Sequence, residues 1–321
     1  MEHNQEDGHL ITLANDDIFE SKTKNIITLE KYIKSIIDNS IEDYSNWYLL
    51  IYCIMSSVSA YRVYNVQLYP DEKSINDINT LILNFKGKRI FHIHDIHDYT
   101  FIDGYFGFKN YCKNNNINLV IGNYIYNNES KIINSILKDL EIPYYVIPNL
   151  INDNIFKNYN NDKIYDILIY GNMGFCYILR KRMLDIIKKT TKWKSRIIEF
   201  NELTGIELSE EINKSYLSVA TCSTFEYFLC KYIEIPMSSS LVIGNLPEQG
   251  KMLFGNDDFI QINDNMTDIE IIDKIDKVLE NKTIILDKIK IMSNKLEFFK
   301  LKYKNIYLNK CIYHYEEQKK H

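Results

Sequence analysis

The chain has 321 residues, is 45% hydrophobic and carries a formal net charge of −5, enough apolar material for one large domain or two of ordinary size. A pI of about 5.9 gives no electrostatic ground for a nucleic-acid partner, because phosphate binding needs a basic face. The start, Met1–Gly8, is polar and acidic, unlike a secretory leader. The longest apolar stretch, Trp47 to Met55, is far short of the roughly 20 residues a membrane span requires, and reads as a buried core element. The six cysteines form no CxxC pair, so reduced thiols and a cytoplasmic location are expected.

Apolar runs with strand character alternate with helical periodicity along most of the length. In the first half, strands are expected at Val63–Tyr69, Arg89–His94, Asn118–Ile121 and Tyr144–Ile147, with helices at Ser74–Phe85, Phe101–Lys113 and Glu129–Leu140. The polar, aperiodic stretch Asn152 to Lys163 marks a break between two halves. Beyond it, strands are expected at Asp166–Tyr170, Ser195–Phe200, Leu217–Thr221, Leu241–Gly244 and Phe259–Ile262. Helices are expected at Ile178–Thr190, Ser209–Ser215, Thr224–Ile235 and Thr267–Glu280, and Ile284 to Glu317 reads as one or two long helices. Such alternation predicts an α/β chain of two Rossmann-like, doubly wound parallel sheets.

The densest polar chemistry is Phe91-His92-Ile93-His94-Asp95-Ile96-His97-Asp98, after the basic turn Lys86-Gly87-Lys88-Arg89. Strand alternation puts His92 and His94 on one face, and His94 should leave the sheet at its carboxyl edge, where ligands bind. His92, His94 and His97 are potential metal ligands. A metallohydrolase pattern H-x-H-x-D-H, however, would need Asp where Ile96 stands. A buried, hydrogen-bonded role is expected for His92. Phe101 to Gly107 suits an acceptor-side loop or a helix start.

In the second half, Ser223-Thr224-Phe225-Glu226 follows an expected strand. A Ser followed three residues later by Glu fits a helix capping box. A helix start at that edge would equally offer free N–H donors to a diphosphate. Glu234 lies in Lys231-Tyr232-Ile233-Glu234-Ile235-Pro236, ahead of Ser238-Ser239-Ser240, the strand Leu241–Gly244, and Asn245-Leu246-Pro247-Glu248.

This order of strand, S-x-x-E, second glutamate, small-residue turn, apolar strand and P-E pair resembles the C-terminal domain of retaining GT-B glycosyltransferases. The likeness is to the family 4 type, and within it to the spore-coat glycosyltransferase-like branch. Three more segments agree. Val146-Ile147-Pro148-Asn149 with Phe156 downstream is similar to the family's crossover between domains. Asp166 to Asn172 looks like the first strand and glycine turn of its second domain, and Arg180-Lys181-Arg182 falls where the family places basic residues near the donor diphosphate. The resemblance covers about Val146 to Glu280.

The resemblance implies a GT-B fold: two Rossmann-like domains facing a cleft, residues 1–156 on the acceptor side and 157–300 binding the nucleotide sugar, with 301–321 forming a helix that crosses back. It implies transfer of a sugar from a UDP- or GDP-linked donor to a hydroxyl on a glycan or protein, with retention, no cofactor and no obligatory metal. Glu226 would meet the sugar and Glu234 the ribose, since a carboxylate accepts two hydroxyl bonds at once. Arg180 would counter the leaving diphosphate. Gly171, Asn172, Ser223, Tyr227 and Phe228 would line the donor, and His94 would handle the acceptor proton, its pKa lying near neutral. The sequence departs from the family at Tyr227-Phe228, Ser238 to Ser240 and Leu150, where glycines are usual. A non-catalytic coat or structural protein with this fold, or a sugar-nucleotide epimerase, are the alternatives.

Overall fold

A computed structural model of the chain describes residues 9–11, 24–40, 43–52, 72–93, 105–124, 142–255 and 257–320. The fold divides into two units, residues 1–148 with 305–321, and residues 149–304.

In the first unit, short apolar segments pair into one sheet: β1 (His9–Leu10), β2 (Ile26–Thr28), β3 (Tyr48–Tyr52), β4 (Lys88–Ile93), β5 (Leu119–Gly122) and β6 (Tyr144–Val146). Their order is β1-β6-β5-β4-β3-β2, and every pairing is parallel. Parallel strands are covered on both faces and so read as continuous apolar runs; Leu49, Leu50, Ile51, Ile90, Phe91, Leu119 and Val120 are all buried. The apolar stretch from Trp47 thus supplies a core strand. Helices α1 (Leu29–Ile37), α2 (Glu72–Asn84) and α3 (Tyr105–Asn114) accompany the sheet. Buried Arg89 donates to the carbonyls of Ile82, Leu83 and Phe85, closing the carboxyl end of α2 onto β4. His92 is buried on β4. The expected strand Val63–Tyr69 and helix Glu129–Leu140 lie outside the described residues.

The second unit is a sheet of β7 (Tyr165–Tyr170), β8 (Ser195–Ile198), β9 (Ser215–Val219), β10 (Leu241–Gly244) and β11 (Ile260–Gln261), ordered β11-β10-β9-β7-β8 and parallel throughout. Around it run α4 (Ile178–Lys189), α5 (Gly205–Asn213), α6 (Lys231–Met237), α7 (Glu248–Leu253), α8 (Asp268–Leu279) and α9 (Lys282–Lys295). One face packs Leu168, Ile212, Phe228, Tyr232, Val242 and Met292; the other packs Ile167, Ile169, Met183, Leu217, Ile243 and Ile271. Two expectations for this half are corrected. No helix runs from Thr224: the chain stays non-helical until Lys231, because Glu226 takes a left-handed φ of 56°. The capping box is instead at Thr267, whose hydroxyl accepts from Glu270 N–H while Glu270 accepts from the Thr267 backbone.

The polar stretch from Asn152 to Lys163 belongs to the second unit, so the division falls ahead of Phe156. Asn149 Nδ2 donates to the Phe228 carbonyl at 2.7 Å. Ile151 exchanges backbone bonds with Phe299 and Leu301, and Phe156 packs on the second unit's core. The chain returns to the first unit in α10 (Lys304–Gln318) from Asn305 onward. There Asn309 Oδ1 accepts from Lys24 N–H, Glu316 accepts from Lys24 and Tyr48, and Tyr307, Cys311 and Ile312 are buried. No helix among the described residues is long and apolar enough to cross a membrane.

Close approach of β9 and β10 fixes one glycine. A Cβ on Gly244 would stand 1.5 Å from the Ala220 carbonyl oxygen, a backbone atom that cannot move aside. Gly244→Ala should therefore destabilise the chain by about 3 kcal/mol and lower the thermal midpoint by roughly 6–12 °C, read by circular dichroism melting.

Candidate functional site

The strand order of the second unit reverses at β7, the first strand of that half, which lies between the second and third strands in sequence, β8 and β9. Ligands bind outside the carboxyl ends of strands at such a switch point. Leaving β7, the chain makes the turn Gly171-Asn172-Met173-Gly174; leaving β9, it makes the segment Thr221 to Cys230. The two are tied together. Arg180, on the first turn of α4, donates Nη1 to the Asn172 carbonyl at 2.9 Å and Nη2 to the Thr221 carbonyl at 2.8 Å. The Thr224 N–H donates to the Cys176 carbonyl at 2.8 Å. From β10, Asn245 accepts from the Cys222 N–H and donates to its Sγ.

Arg180 is 1% exposed, its guanidinium lies 3.9 Å from the centroid of the Tyr177 ring, and it forms no ion pair among the described residues. Burial lowers its pKa; guanidinium stays charged nonetheless. Its Nε and the Thr221 hydroxyl are buried without a hydrogen-bond partner among the described residues. Gly171 has φ +91°, which glycine tolerates without steric cost. Asn172 Oδ1 accepts from Gly174 N–H at 2.7 Å, closing the turn.

A second cation stands over this turn. Lys231 opens α6 and places Nζ 3.0 Å from the centroid of the Tyr170 ring. It would lie 2.6 Å from a Cβ on Gly171. Tyr170 in turn donates its hydroxyl to Glu234 Oε2 at 3.1 Å. Burial first, then the Arg180 charge, holds the Lys231 pKa well below the lysine range. Burial raises Glu234, with Lys231 and the Tyr170 hydrogen bond opposing it. Burial and the Glu234 carboxylate raise Tyr170.

Gly171, Asn172, Arg180 and Glu234 thus share one edge. Ser223 lies beside them, its Oγ accepting from Phe225 N–H at 3.2 Å. Glu226 is exposed on a turn closed by its N–H to the Ser223 carbonyl. Tyr227 and Phe228 are core residues: Phe228 is fully buried and stacks on Tyr232 at 5.0 Å, and buried Tyr227 stacks on Phe225. His94 and His97 lie outside the described residues. Among the described residues no group of His, Cys, Asp and Glu could hold a metal ion. Lys231, Tyr170 and Thr221 were not singled out from the sequence; the signal available was a lone lysine in the apolar run Phe228 to Met237. A cavity of about 760 Å³ lies at the opposite, amino edge of the sheet, lined by Lys163, Asn213 and Ser239 among others, and includes none of these residues.

No family model matches the sequence, and no curated protein matches it. Solved structures do resemble it. An alpha-glucosyltransferase in complex with UDP-glucose and DNA containing an abasic site aligns with a TM-score of 0.56 at 10% identity, over 85% of this chain and 80% of that one. Trehalose-6-phosphate synthase gives 0.55 at 10% identity, over 90% and 77%. HepE from Anabaena, in complex with UDP and glucose, gives 0.52 at 10% identity, over 91% and 100%. The two α/β halves are those of the GT-B fold.

The Arg180 fork generates a stability prediction. Lysine presents a single ammonium in place of a planar fork, so Arg180→Lys leaves a buried carbonyl of Asn172 or Thr221 without its donor. The expected cost is about 1–3 kcal/mol, measured by urea denaturation.

Proposed function

We propose that the second unit binds a nucleoside diphosphate sugar at this edge and that the chain transfers the sugar to a hydroxyl acceptor. One observation carries the reading: buried Arg180 and half-buried Lys231, neither in an ion pair among the described residues, flank a glycine turn at the switch point, with the Glu234 carboxylate close by. Two positive charges against the single Glu234 carboxylate are costly to hold out of water, and a diphosphate would supply the further negative charge. The GT-B fold supports the same class of donor.

In this reading Glu234 accepts the ribose hydroxyls, Glu226 contacts the sugar, and Ser223 and Asn172 line the donor. The bond between the sugar C1 and the diphosphate oxygen breaks, its electron pair leaving on the diphosphate, whose charge the cationic edge balances. The acceptor oxygen bonds C1 and gives up its proton, with His94 as the group assigned to that acceptor side. Retention of configuration and the family 4 assignment rest on the sequence resemblance, from the crossover Val146 to Asn149 through Glu234.

A thermal-shift screen with UDP, GDP and their sugars tests the reading, since a ligand of the folded state raises stability in proportion to ln(1 + [L]/Kd). A rise with one of them is expected; no response to any would leave a non-catalytic protein with this fold. Glu234→Ala should weaken the responding nucleotide roughly tenfold, by loss of charge-assisted hydrogen bonds, in calorimetry. Glu226→Gln should leave nucleotide affinity within about twofold and lower turnover by roughly a hundredfold, read from release of the nucleoside diphosphate.

A further inference from the structure

Three basic residues follow the glycine turn in sequence, and the structure distributes them. Arg180 is buried and committed to two carbonyls. Arg182 pairs with Asp268 and donates to the carbonyls of Asp264 and Met266. Lys181 is exposed on α4, one residue on from Arg180, and so turned roughly 100° about the helix axis from it. The cation that stands at the turn is Lys231, from a different part of the chain.

Lys231 is poorly satisfied where it is. An ammonium has three N–H donors, and among the described residues Lys231 makes no hydrogen bond and no ion pair; its one close partner is the Tyr170 ring. Glu234 lies one helical turn further along α6 and accepts instead from Tyr170. A cation–π contact leaves all three donors open. The groups facing the ammonium are Arg180, Glu234, Cys230 and Tyr170, so the charge next to it from α4 is of the same sign. Space is kept open as well. Gly171 has the left-handed φ, and any side chain there would strike Nζ. The Thr221 hydroxyl, on the residue whose carbonyl Arg180 holds, is buried without a partner among the described residues. An oxyanion with several acceptor oxygens would satisfy these groups together.

We propose that Lys231 is the residue of this chain that contacts the donor's diphosphate directly, with Arg180 acting beneath it as the group that shapes the turn and supplies a buried positive field. The proposal rests on the nucleotide-sugar reading of the site and names the residue that carries its phosphate recognition. It accounts for the departure at Tyr227-Phe228, where the backbone has no glycine to approach a phosphate: a long cationic side chain from α6 takes that place.

The experiment is calorimetric titration of the full chain with UDP, GDP, uridine, guanosine and inorganic pyrophosphate, for the wild type, Lys231→Met and Lys231→Arg. Expected for the wild type is binding of a nucleoside diphosphate more tightly than its nucleoside. Lys231→Met should lose tenfold or more for the diphosphate and pyrophosphate while holding nucleoside affinity within twofold, and Lys231→Arg should recover most of the loss. Wild-type binding of the diphosphate that Lys231→Met leaves unchanged overturns the role of Lys231 and spares the nucleotide reading. Wild-type binding of pyrophosphate, lost in Lys231→Met, without binding of any nucleoside diphosphate keeps the anion site and sinks the nucleotide reading. Binding of neither overturns both. Should Lys231→Met not fold, amine acylation of the wild type followed by peptide mass spectrometry decides the point: the bound diphosphate should suppress labelling of Lys231 fivefold or more, and equal labelling with and without it overturns the proposal.

Discussion

The candidate site depends on one buried fork. Arg180 joins the carbonyl of Asn172, past the end of β7, to the carbonyl of Thr221, past the end of β9. These are the strands between which the sheet order reverses, so their connections run apart and leave a crevice. Strand ends that diverge expose carbonyls with no ladder partner, and buried carbonyls need donors. A guanidinium meets two of them at once in one plane. The same bonds bury a positive charge below the glycine turn, where the low dielectric strengthens its field.

The charges at this edge are unevenly placed. Arg180 and Lys231 lie around Gly171, and Glu234, one helical turn from Lys231, accepts from the hydroxyl of Tyr170, whose ring carries the lysine. Tyr170 thus touches both charges, the lysine through its ring and the carboxylate through its hydroxyl. A ligand that is anionic at one end and carries hydroxyls at the other matches that polarity, and a nucleoside diphosphate is such a ligand. A simple phosphate would use the cationic patch and leave Glu234 without a role.

Most of the scaffold could be read from the sequence because its central strands are buried apolar runs. Leu241–Gly244 and Asp166–Tyr170 are apolar runs bounded by turn residues, and they form β10 and all but the first residue of β7. Ile178–Thr190 and Thr267–Glu280 carry helical periodicity and form α4 and α8. The reading failed where local chemistry has two solutions. Ser223-Thr224-Phe225-Glu226, followed by Tyr227 and Phe228, looks like a capped helix with its apolar face beginning. In the structure Tyr227 and Phe228 reach the core from a non-helical segment, Ser223 Oγ closes a local turn, and the helix waits for Lys231. Lys231 carries no distinctive sequence signal for a related reason: a single lysine in an apolar run forms no motif, and a cation's role is set by what the fold places beside it. The short strand β2 carries too few residues for a period to show.

The backbone at Glu226 ties these points together. A left-handed φ on a non-glycine residue costs about 1–2 kcal/mol, and a turn bearing it persists only where its surroundings fix it. Here they do: the Glu226 N–H bonds the Ser223 carbonyl, the Thr224 N–H bonds the Cys176 carbonyl, and the Phe228 carbonyl is held by Asn149. Two of these bonds reach outside the turn, one to the connection after β7 and one to the start of the unit. The segment that would be a helix start by local preference is thereby held as an extended turn, with Tyr227 and Phe228 in the core and Glu226 exposed. The same constraint delays α6, and a helix that begins at Lys231 is what sets the lysine over the Tyr170 ring and Glu234 one turn beyond it. The strained glutamate and the poised lysine are consequences of one folding decision, made where the β9 connection is bound to the β7 connection across the switch point.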